Sequence, residues 1–166
     1  GAIVDGLLRE DGSLGRSWKD GRAVGAGVLE DHADLADGLL ALYEATFDER
    51  WFVIARGLMD RVLERFVDPA GGFFDTADDH ERLITRPKDL GDNAVPSGGS
   101  MATTVLLRLA AWTGEDRYRE AAERALADAE CTWRDIDAVI IGKAPDLFEG
   151  VMMPELFLND AIGGAY

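Results

Sequence analysis

The chain has 166 residues, 47% of them apolar, with 17 Lys and Arg against 32 Asp and Glu for a formal charge of −15. That is one domain's worth of sequence with enough apolar content for a core, which excludes the disordered and low-complexity classes. A charge of this sign and size repels phosphate backbones and anionic lipid surfaces, so neither nucleic acid nor membrane is expected as a partner.

Residues 1–28 are rich in Gly and turn signals. Asp11-Gly12 lies between short apolar stretches and is followed by Arg16-Ser17-Trp18-Lys19-Asp20-Gly21. Gly accepts positive φ at no steric cost, so the Asp11-Gly12 step favours a tight hairpin, and the stretch reads as a small β-hairpin and a loop. From Val28 the pattern turns helical, with Leu29, Ala33, Leu35, Ala36, Leu39, Leu40, Leu42 and Tyr43 at three- and four-residue spacing up to Thr46. Asp48 then caps a second helix that buries Trp51, Ile54, Ala55, Leu58, Val62, Leu63 and Phe66, with Asp68-Pro69 as a stop. The stretch from Val67 to Pro96 lacks helical periodicity, and a connection that long is expected to be functional or to carry short strands. Ser97 reads as the N-cap of a third helix through Met101, Val105, Leu106, Leu109 and Trp112, and Glu115 or Asp116 opens a fourth.

The two helical pairs repeat at an offset of 67 residues: Leu39-Leu40-Ala41-Leu42 recurs as Leu106-Leu107-Arg108-Leu109, Thr46 as Thr113, Asp48-Glu49-Arg50-Trp51 as Glu115-Asp116-Arg117-Tyr118, and Ala55 as Ala122. Hairpins of this kind cannot bury their apolar faces alone, so they stack into solenoids or close into α/α toroids. Equivalent first helices place their N-termini on one face, together with the long loop that feeds the third helix. This gathers Glu30, Asp31 and His32 with Arg86, Lys88, Asp92, Asn93, Ser97 and Ser100. Backbone N–H groups at two helix starts favour anionic or hydroxyl-rich ligands.

Each candidate also has a structural reading. Glu30 and Asp31 fit dipole complementarity and capping as well as acid–base work, and His32 is either a proton carrier or a scaffold residue. Arg86 and Lys88 either clamp an anion or offset neighbouring acids. Asp75, Asp78, Asp79, His80 and Glu81 form a polar cluster, but the 12-residue calcium pattern begun at Asp75 fails at Ala77 and Arg86, so no metal is expected. No cofactor motif is present.

The runs Leu29-Glu30-Asp31-His32-Ala33, Leu39 to Thr46, Gly71-Gly72-Phe73-Phe74-Asp75-Thr76, Arg86-Pro87-Lys88 and Asp92-Asn93-Ala94-Val95-Pro96-Ser97-Gly98 together resemble one family. It is the thioredoxin-domain-containing family related to the spermatogenesis-associated protein, and the likeness is to its C-terminal part. Resemblance to that family implies an α/α toroid similar to N-acylglucosamine 2-epimerase and other six-hairpin sugar enzymes, over about residues 1–125. The family usually has an aromatic residue where His32 stands and Asn where Gly99 stands. Its thioredoxin part has no counterpart in these residues. The resemblance further implies a carbohydrate-related site in which Glu30 or His32 serves as base, while Asp31, Arg86, Lys88, Asp92, Asn93, Ser97 and Ser100 hold substrate.

After Ala125 the pattern changes. Asp135-Ile136-Asp137-Ala138-Val139-Ile140-Ile141-Gly142 reads as a buried strand before a Gly/Pro loop and a helix from Met153 or Pro154, and is similar to the N-terminal half of lipid-transfer-type thiolases. Cys131 precedes the strand and the sequence ends before the region of the thiolase nucleophile, so no acyl-transfer site is expected.

The chain is therefore expected to be mainly α: a partial α/α toroid over 1–125 with a small N-terminal β-hairpin, and a short α/β tail over 126–166. The missing initiator Met and the abrupt end at Tyr166 point to a fragment, and the junction of two unrelated resemblances points to a fused reading frame. Three functions follow in order: a sugar-isomerase-like segment with weak or no catalysis, a helical module that self-associates through open helix faces, and a truncated acyl-CoA enzyme. The expected small-molecule partner is a sugar or another hydroxyl-rich compound. One cysteine precludes an internal disulfide, and no apolar run approaches the roughly 20 residues of a spanning helix, so a cytoplasmic setting is expected.

Overall fold

A computed structural model describes residues 2–79, 85–88 and 96–129. The four expected helices are present with local chemistry that accounts for their limits. Helix α2 runs Leu29–Thr46 and α3 Glu49–Arg65, after a short α1 at Ala2–Leu7. The Asp48 carboxylate caps α3 by accepting the Arg50 backbone N–H at 3.1 Å. Helix α4 runs Gly98–Thr113 under the Ser97 cap, whose Oγ accepts the Ser100 N–H at 3.2 Å, and α5 runs Asp116–Asp128. A capping side chain of this kind satisfies one of the N–H groups that a helix start leaves without an intrahelical partner. No helix among the described residues is long and apolar enough to cross a membrane.

The N-terminal segment folds as β1 (Gly15–Lys19) against β2 (Arg22–Ala26), antiparallel, with Trp18 opposite Ala23 and Lys19 opposite Arg22. Its turn is Asp20-Gly21, both at positive φ (51° and 79°), as a tight hairpin of right-handed twist requires. The hairpin turn therefore lies at the second Asp-Gly step and not at Asp11-Gly12, which reverses the chain across only the isolated Leu8–Leu14 bridge. The helix α1 lies outside the expected elements, since six residues carry too little periodicity to register.

Helices α2 and α4 pack side by side, and each packs against its own hairpin partner, α3 or α5. The core between them is made from Leu29, Ala33, Ala36, Leu39 and Leu40 of α2, Ala55, Leu58, Met59 and Val62 of α3, Ala102, Val105, Leu106 and Leu109 of α4, and Tyr118, Ala121 and Ala122 of α5. Phe66, just beyond α3, and Phe73 in the following loop close one end. The many alanines let the helix backbones approach closely. The core remains apolar, and the buried Tyr118 hydroxyl finds its partners at the α3 face, where it donates to Asp60 at 2.7 Å and accepts from Arg56 at 3.2 Å. Burial and the Asp60 carboxylate push that phenol up to about 12.

The 67-residue repeat extends to individual hydrogen bonds. Thr46 Oγ1 donates to the Leu42 carbonyl at 2.6 Å and accepts the Asp48 N–H, and Thr113 Oγ1 donates to the Leu109 carbonyl at 2.7 Å and accepts the Glu115 N–H. Arg50 pairs with Asp48 as Arg117 pairs with Glu115. The helix ends match too: the Phe47 N–H bonds to Tyr43 and the Gly114 N–H to Ala110, both from left-handed residues. Gly accepts that conformation freely, whereas Phe47, at φ 53°, bears a steric cost of about 1–2 kcal/mol while its ring stays 53% exposed. Phe47→Gly is expected to raise stability by about 0.5–1 kcal/mol after the added unfolded-chain freedom is subtracted. A lower urea midpoint in that variant would show that the ring contributes more by packing than its backbone costs.

Candidate functional site

The helices alternate in direction, so the starts of α2 and α4 and the ends of α3 and α5 lie at one end of the bundle. The approach of α2 and α4 there is close: a Cβ placed on Gly98, the first residue of α4, would lie 2.8 Å from the Glu30 backbone nitrogen and 3.2 Å from its Cα. Glu30, Asp31, Ser97 and Ser100 are thereby brought to one place. Glu30 is exposed, whereas Ser97 and Ser100 are half-buried and bonded to each other through their hydroxyls at 3.1 Å. Asp31 is turned back on its own helix, where its carboxylate accepts the Val28 N–H at 2.8 Å and faces Arg16 at 3.7 Å.

His32 is 2% exposed, with its ring edge-on to Phe66 at 5.0 Å. Nδ1 lies 2.8 Å from the Val28 carbonyl, which can only accept, so Nδ1 carries the proton and a neutral ring leaves Nε2 as a bare acceptor. That Nε2 is buried without a partner among the described residues. Burial chiefly holds the imidazole below its usual 6.5, against the pull of the Val28 carbonyl and the Asp31 and Asp79 charges, with Arg61 adding to the depression. A depressed histidine contributes stability that is complete above pH 6.5 and is lost as pH falls from there toward its folded value. Wild type should therefore lose up to about 1.4 kcal/mol per pH unit below 6.5. His32→Phe, which preserves the ring contact with Phe66, should lack this loss; urea unfolding of both at pH 7.5 and 5.5 measures the difference, and parallel losses would remove His32 as the cause.

The segment carrying Arg86 and Lys88 is tied to this end through Asp75, whose N–H donates to the Pro87 carbonyl and whose carbonyl accepts the Leu29 N–H at 2.8 Å. Arg86 lies over the Phe74 ring at 4.1 Å and donates to the carbonyls of Thr76 and Arg65. Lys88 points the other way, 3.0 Å from Asp68, 2.7 Å from Asp128 and 2.6 Å from the Gly71 carbonyl. Both cations thus hold chain to chain, Arg86 at the end of α3 and Lys88 at the end of α5. In the acidic stretch, Asp78 pairs with Arg65 at 3.4 Å and Asp79 with Arg61 at 2.9 Å. Asp92, Asn93, His80, Glu81 and Cys131 lie outside the described residues, as do the strand and helix expected in the tail.

Asp75 escaped the sequence reading: it joins α2 to the 85–88 segment through its backbone, which no side-chain motif announces. The stretch Pro96-Ser97-Gly98-Gly99-Ser100 reads in the sequence either as a place where backbone approaches a ligand closely or as a plain loop-to-helix joint, and the backbone that Gly98 meets is that of Glu30, so it sets the separation of α2 and α4.

No family model matches the chain. Over 96 residues, 57% of its length, it is 42% identical to spermatogenesis-associated protein 20 of Mus musculus, and over the same length 41% identical to the proteins of that name from Homo sapiens and Rattus norvegicus. The chain spans 12% of the length of these relatives, so its likeness is to one portion of spermatogenesis-associated protein 20, in keeping with the resemblance carried by its motifs.

Proposed function

We propose that this chain is a segment of an α/α toroid of the six-hairpin sugar-enzyme type, and that the joined starts of α2 and α4 form a face for a hexose, an N-acylhexosamine or a similar hydroxyl-rich ligand. The observation that carries the reading is the backbone approach of Gly98 to Glu30, which puts two helix starts and an exposed carboxylate side by side. In this reading Glu30 is the group that touches ligand and, among the described residues, the one placed to take a proton from a sugar carbon. His32, enclosed and bonded to Val28, is a positioning residue for the first turn of α2. Ser97 and Ser100 offer hydroxyls, Asp31 and Arg86 hold the surrounding backbone, and Lys88 fastens the neighbouring loop. Two hairpins do not close a ring, so binding with little or no turnover is expected of the segment alone. Saturation-transfer NMR with hexoses and N-acylhexosamines tests the reading, alongside incorporation of solvent deuterium into the sugar. Binding weakened about tenfold in Glu30→Ala supports it; no transfer to any of these sugars overturns it.

A second reading, a helical module that self-associates, is favoured by the apolar side chains left open on the helices: Leu42 is 44% exposed and Val53 57%. Sedimentation over a concentration series tests it, and a monomer throughout rejects it.

A further inference from the structure

We propose that the flank of α2 turned away from α4 is a docking surface for the α4–α5 hairpin of a second copy of the chain, so that copies stack head to tail. The inference rests on the self-association reading and specifies its two surfaces. Its ground is the 67-residue repeat, which lets each helix face be compared with the face that matches it.

Helix α4 meets the preceding hairpin along one side. Gly98 approaches Glu30, Arg108 bonds Asp37 and, at 2.9 Å, Glu44, and the Trp112 ring lies 5.8 Å from Tyr43 of α2 and 6.2 Å from Phe52 of α3. Val105 and Leu109 share this side by helical spacing, and both are fully buried. The matching positions on α2 are Gly38 for Val105, Ala41 for Arg108, Leu42 for Leu109 and Ala45 for Trp112. All four are exposed, Leu42 at 44%, with nothing within 4 Å of a Cβ on Gly38. Arg16 of the ribbon reaches the first turn of α2 at Asp31, and these later turns stay open among the described residues.

The covering surface also has its counterpart. Asp37, Leu40 and Glu44, three and four residues apart, form the side of α2 toward α4, and the matching residues of α4 are Thr104, Leu107 and Ala111. Leu40 is fully buried, whereas Thr104 is exposed and Leu107 and Ala111 are half-buried. The chain thus carries both members of its internal hairpin contact a second time, one on α2 and one on α4, each without its mate. They lie on different flanks of the bundle, so two copies are needed to join them, in a heterologous contact. A foreign partner would have to reproduce the Thr104–Leu107–Ala111 side, which a second copy already has. Ala41 and Ala45 stand where Arg108 and Trp112 reach across, so the contact between copies lacks that clamp and ring stack and reverses on dilution.

Sedimentation of the 166-residue chain over a concentration series tests this. The expected result is a mass that climbs through twice the 18.0 kDa chain mass and beyond, since a head-to-tail contact leaves a free flank at each end of a stack. Leu42→Lys spoils one flank and Thr104→Glu the other, both at exposed positions, and each variant alone should associate about tenfold more weakly. An equimolar mixture of the two should form a species of twice the chain mass and nothing larger, because the intact α4 flank of the first fits the intact α2 flank of the second. Circular dichroism confirms that each variant is folded. A monomer in every condition overturns both this inference and the self-association reading. Association that stops at two copies in wild type, that neither substitution weakens, or that the mixture does not restore, overturns this pair of surfaces alone.

Discussion

Lys88→Ala is expected to lower the unfolding free energy by about 3 kcal/mol, near the low end of what is lost when one member of an enclosed ion pair is removed. The ammonium stands between Asp68 and Asp128, at 3.0 and 2.7 Å, with all three side chains at 15–20% exposure. Alanine would leave two carboxylates facing each other without their shared counter-charge. The loop geometry adds to the effect: Gly71 and Gly72 adopt positive φ, and a Cβ on either would lie 2.9–3.0 Å from the Asp128 side chain. The loop, the 85–88 segment and the end of α5 therefore depend on one cation. A variant carrying Lys88→Met, Asp68→Asn and Asp128→Asn together should recover most of the loss, because no charge is then stranded. Burial acts to lower the Lys88 pKa, but Asp128 and Asp68 outweigh it and hold the ammonium above its usual 10.5. Its contribution is thus complete below about pH 10.4 and declines as pH rises through the folded value. Urea unfolding at pH 7 provides the measurement, and a loss under 1 kcal/mol in Lys88→Ala would show that solvent, rather than Lys88, stabilises the two carboxylates.

The helical part of the fold was legible because its signals are local. Asp48 and Ser97 cap α3 and α4 as read, and the apolar spacing of Leu29 to Tyr43 gives a helix ending at Thr46. Convergence of the α2 and α4 starts followed from the repeat and is present as the Gly98–Glu30 approach. What the sequence left open was partner choice. Arg86 and Lys88 have the types and spacing of an anion clamp, yet backbone carbonyls and the Asp68 and Asp128 carboxylates engage them, and those lie 10–40 positions away. His32 is similar: charge and position suit a proton carrier, but enclosure depends on Phe66, contributed from just beyond the end of α3. A motif specifies which groups are present, whereas the packing of other elements decides whether they face ligand or chain.

Substituting alanine for three helical glycines should separate these two levels directly. Gly38 and Gly57 lie within α2 and α3 with nothing within 4 Å of an added Cβ, so Gly38→Ala and Gly57→Ala should each raise stability by about 0.5–1 kcal/mol through helix propensity and a less flexible unfolded chain. Gly98→Ala, at the first residue of α4, has less to gain from helix propensity and forces the Cβ to 2.8 Å from the Glu30 nitrogen. The obstructing atoms are backbone, so α2 and α4 must move apart, and a net loss of about 1–2 kcal/mol is expected, rising to about 3 with Gly98→Val. If the two helix starts form the ligand face, Gly98→Ala should also weaken sugar binding measured at a temperature where the variant is fully folded. Gly38→Ala should leave that binding unchanged. Thermal or urea unfolding of the four variants gives the signs, and a Gly98→Ala protein as stable as Gly38→Ala would show that the starts of α2 and α4 separate without cost. A destabilised Gly98→Ala protein with unaltered sugar binding would instead keep the close approach as a feature of packing and remove it from the site.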